Sequence, residues 1–67
     1  MNKLFYNLLV DERCVLQVES LLNRLRVGLN DWDKTKAFDY CGGRYVNYTI
    51  MCTSETYETI TSHLYES

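Results

Sequence analysis

Sixty-seven residues and 7.9 kDa set the scale of one domain over 1–67, too short to build a deep catalytic cavity beside its own core. Hydrophobic residues make up 46 %, charged residues 24 %, and the net charge is −2; this composition excludes a disordered chain. The scattered Lys and Arg argue against a protein that draws its affinity from clustered cations on a phosphate backbone.

Residues 3–10 are rich in Leu, Phe, Tyr and Val and predict a first strand. Leu4, Tyr6, Leu8 and Val10 fall on one face, with Phe5, Asn7 and Leu9 on the other. The run is far short of the ~20 apolar residues that span a bilayer, and no export signal is expected. Asp11 fits a helix N-cap, with Glu12 near the positive end of the helix dipole. Cys14, Val18, Leu21, Leu22, Leu25 and Leu29 then recur at helical spacing and predict an apolar stripe facing the core. Leu16 and Val27 project from the polar side. Gly28 and Asn30 are the candidate terminators.

Residues 30–36 (NDWDKTK) read as a polar loop. Within it, Asp31, Trp32 and Asp33 admit two readings. Either the indole folds back over the helix end, or it is an aromatic anchor between two acids, the residue type that dominates interface energetics. On the second reading Trp32→Ala leaves the melting curve nearly intact. A hairpin follows, with strands near 36–41 and 44–53. A three-residue Cys41-Gly42-Gly43 loop aligns Phe38 with Val46 and places Phe38, Tyr40, Val46, Tyr48 and Ile50 on the core face, with Gly43 in a left-handed bulge. Ser54 is expected to cap a final helix over 55–66, whose stripe is Tyr57, Ile60, Leu64 and Tyr65. Threonines at 56, 59 and 61 make that helix weak in isolation.

The order β-α-β-β-α predicts an α+β domain with a three-stranded sheet, order 1-3-2, and two helices on one face. This topology resembles a ferredoxin-like fold lacking its last strand, a likeness of architecture that carries no function. It leaves the first strand with a free edge and an open sheet face bearing Phe5, Leu9, Tyr45 and Met51.

The chemistry-bearing residues are sparse. His63 is single and off the helix stripe, with Glu66 the nearest potential orienting carboxylate. The three cysteines at 14, 41 and 52 form no CxxC and no paired zinc-ligand spacing, and an odd number fits reduced thiols in a cytoplasmic setting. No catalytic residue, metal ligand or cofactor is expected. What is left after the core is filled is apolar and aromatic: Phe5, Leu9, Leu16, Trp32, Tyr45 and Met51.

These residues, with Asp31 and Asp33, are the expected contact set of a non-enzymatic module that binds a larger protein. In size and charge the chain is similar in character to small phage-encoded inhibitors of host machinery, including anti-restriction and anti-CRISPR proteins, and that likeness implies steric blocking in a host cytoplasm. The alternatives are a small ligand-binding regulatory domain that dimerises through strand one (residues 3–10), and, further off, a reader of single-stranded nucleic acid on the open sheet.

Overall fold

The computed structural model describes the backbone of residues 2–65 and the side chains through Leu64. The chain forms strand β1 (Leu4–Asp11), a 3₁₀ turn (Glu12–Cys14), helix α1 (Val15–Arg24), strands β2 (Trp32–Lys34), β3 (Phe38–Tyr40) and β4 (Gly43–Cys52), and helix α2 (Ser54–Tyr65). All strand pairings are antiparallel: β4 lies between β1 on one side and both β2 and β3 on the other. The architecture is α+β with a four-stranded sheet, where the sequence pointed to three strands.

The difference lies in the stretch expected to be a polar loop and a single strand. Trp32, Asp33 and Lys34 pair with Ile50, Thr49 and Tyr48, and the Thr35 N–H continues the ladder to the Asn47 carbonyl at 3.0 Å. Pairing resumes at Phe38 opposite Tyr45. Lys36 and Ala37 together therefore face Val46 alone, two residues against one, which is a β-bulge. Side chains alternate along a strand, so one extra residue turns every later side chain to the opposite face.

The hairpin register differs too. Tyr40 pairs with Gly43, so the loop is the two residues Cys41-Gly42, both at positive φ (50° and 82°). That is the signature of a type I′ turn, whose twist matches the strands it joins. Phe38 thus faces Tyr45 and not Val46. Phe38 and Tyr40, expected in the core, lie on the open face instead. Gly43 begins β4 beneath the Tyr45 ring, where an added Cβ would come within 3.0 Å of the Tyr45 Cε2 atom.

Both helices cover the other face. Leu8, Val10, Val46, Tyr48, Ile50 and Cys52 from the sheet meet Val18 and Leu22 from α1 and Ile60 from α2 in one buried cluster. Asp11 caps the first turn as expected, accepting the Arg13 N–H at 2.9 Å. α1 ends earlier than the apolar spacing suggested. Arg26 takes a left-handed conformation (φ 61°); its N–H donates to the Asn23 carbonyl at 3.1 Å, and the Val27 N–H donates to the Leu22 carbonyl at 2.9 Å. This pair of bonds is a Schellman motif with arginine at the position glycine usually holds. Reversal of the chain there turns Val27 against the core and leaves Leu29 83 % exposed, the opposite of their expected roles. Because a residue with a Cβ is strained at positive φ, Arg26→Gly is expected to stabilise the fold by about 0.5–1 kcal/mol, measurable as a higher denaturant midpoint with an unchanged slope.

At α2 the cap is Thr53, one residue before the expected Ser54: its Oγ1 accepts the Thr56 N–H at 3.3 Å and its carbonyl accepts the Tyr57 N–H at 3.0 Å. Ile60 is fully buried, and Tyr57 and Leu64 pack around the cluster. The Tyr57 ring stacks on Tyr6 with centroids 4.1 Å apart. The expected packing of Tyr65 lies outside the described side chains.

Candidate interaction surface

The open face is assembled by register alone. Phe5 lies opposite Met51, Asn7 opposite Thr49 and Leu9 opposite Asn47. Asp33 lies across β4 from the Asn7 side, also opposite Thr49. The bulge and the turn add Phe38, beside Tyr45, and Tyr40, beside Gly43. The Tyr40 and Tyr45 rings meet edge to face at 6.0 Å, a favoured geometry for aromatic pairs. Phe5 is 74 % exposed, Tyr40 52 % and Leu9 41 %. Phe5, Leu9, Phe38, Tyr40, Tyr45 and Met51 therefore lie on one face that no helix among the described residues covers, Phe5 and Met51 at one end and Leu9, Tyr45, Phe38 and Tyr40 toward the other. Between them runs a polar row of Asn7, Thr49 and Asp33, where the Thr49 hydroxyl donates to the Asn7 side-chain oxygen at 3.1 Å.

Five of the eight residues singled out in the sequence (Phe5, Leu9, Asp33, Tyr45 and Met51) share this face. Leu16 and Trp32 do not join them, and Asp31 lies just before the β2 pairs. Leu16, 83 % exposed, stands on α1, whose buried residues Val18, Leu21 and Leu22 turn toward the opposite sheet face. The Asp31-Trp32-Asp33 group is split by strand alternation. Trp32 pairs with Ile50, whose side chain is in the core, and the indole packs on the cluster with its ring 5.7 Å from Tyr48. Asp33 faces the open side, and its carboxylate accepts only the N–H of its neighbour Lys34, at 2.8 Å. The Asp31 carbonyl accepts the Met51 N–H at 2.7 Å while its carboxylate sits 3.6 Å from the Lys3 ammonium. The expected anchor between two acids is therefore a half-buried packing residue, folded back toward α1 as the other reading had it.

Trp32 instead lines a cleft of about 450 Å³ with Glu19, Asn23, Arg26, Val27 and Leu29. Next to it, the Glu19 Oε2 atom accepts from both the Lys34 ammonium at 2.6 Å and the buried Tyr48 hydroxyl at 2.8 Å. This contact ties α1 to β2 and β4 and satisfies a phenol that has no access to water. The Lys34 hydrogen bond, aided by Tyr48, holds the Glu19 carboxyl below its usual range; burial, then the Glu19 bond, pushes the Tyr48 phenol well above its own. A carboxylate with a depressed folded pKa stabilises the fold above its unfolded value and loses that contribution as pH falls through the folded one. Stability is thus expected to decline in acid below about pH 4.5, the ordinary value for such a group. Lys34→Met is expected to flatten that decline by removing the main cause of the shift, and Tyr48→Phe to cost about 1–2 kcal/mol at neutral pH. Urea melts from pH 3 to pH 7, on the order of one per half unit, test both.

The remaining chemistry-bearing residues stay apart. Cys14 packs at the edge of the cluster, Cys41 is exposed in the turn and Cys52 is buried, where burial raises its thiol pKa. His63 is exposed and its Nδ1 contacts the Thr59 carbonyl at 3.0 Å; its expected neighbour Glu66 lies outside the described residues. Among the described residues no three His, Cys, Asp or Glu side chains gather where they could hold a metal ion, and no helix is long and apolar enough to cross a membrane. A second cleft, of about 540 Å³, carries Arg13 and Arg44, but acids engage both: Arg13 meets Asp11 at 3.2 Å, and Arg44 meets Asp39 at 3.1 Å and Glu12 at 3.5 Å.

Compared with known proteins, the chain matches no family, no curated protein and no solved structure.

Proposed function

We propose that this chain is a protein-binding module that acts by laying the open face of its sheet on a larger protein. The observation that carries the reading is the single uncovered face holding Phe5, Leu9, Phe38, Tyr40, Tyr45 and Met51. Apolar side chains gathered on one face and left exposed after folding are the usual mark of an interaction site, and aromatic side chains supply most of the energy of such contacts. The positions in register on this face include two carboxylates, Asp11 and Asp33, and no Lys or Arg. Asp11 is engaged by Arg13, so Asp33 is the acid free to meet a partner. The matching surface is an apolar depression with Arg or Lys on its rim. Such a module acts by occupancy, and steric blocking, as small phage-encoded inhibitors do it, is the mode that suits it.

Affinity capture with matched variants tests the reading. Tyr40→Ser and Phe5→Ser are each expected to weaken capture of the partner about tenfold or more while leaving the melting curve near that of the parent, because both side chains are more than half exposed and an aromatic anchor at an interface is commonly worth over ~1–2 kcal/mol. Leu16→Ser and Leu29→Ser on the helix side are expected to leave capture unchanged. Loss of capture with the helix-side variants alone would move the contact surface to α1 and end the proposal.

A further inference from the structure

β1 pairs with β4 and with no other strand of the fold, and its unpaired edge has a defined hydrogen-bonding pattern. On the far side of β4, the Met51 N–H donates to the Asp31 carbonyl and the Asn47 carbonyl accepts the Thr35 N–H, so the odd-numbered residues of β4 turn their backbone groups toward β2. In an antiparallel ladder these groups alternate in direction. The even-numbered residues of β4 therefore bond to their partners in β1, which are Leu4, Tyr6, Leu8 and Val10. The N–H and C=O groups of Phe5, Asn7 and Leu9 point out to the free edge. The Tyr57 hydroxyl, 3.5 Å from the Asn7 carbonyl, reaches that carbonyl from α2, as an outward-facing group requires.

Apart from the Tyr57 hydroxyl, which takes one of the two lone pairs of the Asn7 carbonyl, the usual means of blunting an edge are missing from β1 among the described residues. The sequence contains no proline, the register runs without a bulge from Leu4–Cys52 to Asp11–Tyr45, and no charged residue falls between Lys3 and Asp11. Leu4 and Phe5 are both more than half exposed. A long, regular apolar edge of this kind pairs readily with another strand.

We infer that the occupant of this edge is β1 of a second copy, paired antiparallel with Asn7 on the two-fold axis. The sequence of β1 selects both partner and register. Outward-facing residues must oppose outward-facing residues, so the registers differ by steps of two. With Asn7 opposite Asn7 of the partner subunit, Phe5 meets Leu9 of the partner subunit, Leu4 meets Val10 of the partner subunit, and Tyr6 meets Leu8 of the partner subunit. Lys3 then stands opposite Asp11 of the partner subunit. The pairs next to the axis are apolar with apolar, and at the ends Lys3 and Asp11, each also in contact with a residue of its own chain, bring opposite charges together; such cross-strand pairs are the stabilising unit of a sheet. A step either way breaks this match: Phe5 then faces Asp11 or Asn7 of the partner subunit, and Leu9 faces Asn7 or Lys3 of the partner subunit. In the matched register two sheets become one, and their open faces join across Phe5 and Leu9.

Sedimentation equilibrium of the whole chain over a concentration series tests the inference. The expected result is a reversible dimer. Asn7→Pro removes an N–H that points away from β4, so the ladder within the chain keeps its bonds while both bonds at the axis are lost; the dimer dissociation constant is expected to rise about tenfold or more. Should circular dichroism show that variant unfolded, Lys3→Glu serves in its place: it sets two carboxylates opposite each other at each end of the pairing and is expected to weaken the dimer, at little cost to an exposed contact with Asp31. A monomer at the highest soluble concentration, or a dimer that neither substitution weakens, overturns the inference. A monomer leaves the open-face reading intact, since partner capture is scored separately.

Discussion

Replacing Trp32 with alanine is expected to destabilise the fold by about 2–3 kcal/mol, below the ~3–5 kcal/mol of a fully buried large aromatic because part of the ring meets solvent. At this chain length the melting temperature is expected to fall on the order of 10–20 °C. The cost has two sources. The indole packs on the core cluster beside Tyr48, and β2, only three residues long, joins the sheet through pairs that begin with Trp32–Ile50. Without the ring, the neighbouring Lys34–Glu19–Tyr48 contact loses the strand that positions it. Thermal melts followed by far-ultraviolet circular dichroism give the measurement. An unchanged melt would return Trp32 to the role of a solvent-facing anchor. Partner capture by whatever fraction stays folded is expected to survive, because the indole lies on the helix side of the sheet.

Ile60→Ala is expected to cost more, about 3–4 kcal/mol within the range for emptying a fully buried aliphatic site. α2 is a weak helix on its own, and packing of its apolar side holds it to the sheet. Thr59 and Thr61 send their hydroxyls back to the carbonyls of Glu55 and Glu58, at 3.1 and 3.0 Å, an arrangement that adds nothing to helix propensity. Ile60 is the fully buried residue that this helix contributes to the core. Its loss frees α2, uncovers Tyr6 and exposes one side of the cluster. Since a domain of this size rarely has more than ~3–5 kcal/mol in hand, the variant is expected to populate the unfolded state at 25 °C, visible as doubled or broadened amide resonances. A sharp native spectrum with only a modestly lower denaturant midpoint would show that α2 is not needed to close the core.

Where the sequence was legible, a periodic signal and a local cap agreed. β4 alternates over enough residues to fix both faces, β1 is recognisable from its run of apolar and aromatic residues, the Asp11 cap is where a carboxylate precedes the helix, and the Val18–Leu22 part of the α1 stripe is buried as its spacing requires. Two departures from the sequence pattern share one cause. At Arg26 and at Cys41 the backbone turns left-handed at a residue with a Cβ, where glycine is the residue to look for. Reading Gly28 as the helix stop carried Leu29 into the core and Val27 out of it. Reading Gly43 as part of the turn shifted the hairpin by one residue, and the bulge at Lys36–Ala37, which carries no composition signal, compounded the effect. With the loop one residue shorter, Phe38 and Tyr40 leave the core face and enlarge the open one. Cys41-Gly42, with glycine at the second position of a two-residue turn, was the one available clue. Trp32 was misplaced because a three-residue strand flanked by charged side chains resembles a loop in every local respect; only pairing with β4 distinguishes it.

If the helix-free side of the sheet meets a partner, adding the captured partner to the isotope-labelled chain shifts the backbone and side-chain resonances of that side. The largest changes are expected on Phe5, Leu9, Phe38, Tyr40, Tyr45 and Met51, with Leu16, Leu29 and the outer side of α1 unaffected. Changes confined to α1 and the cleft beside Trp32, with the Tyr40–Tyr45 pair undisturbed, would contradict that expectation.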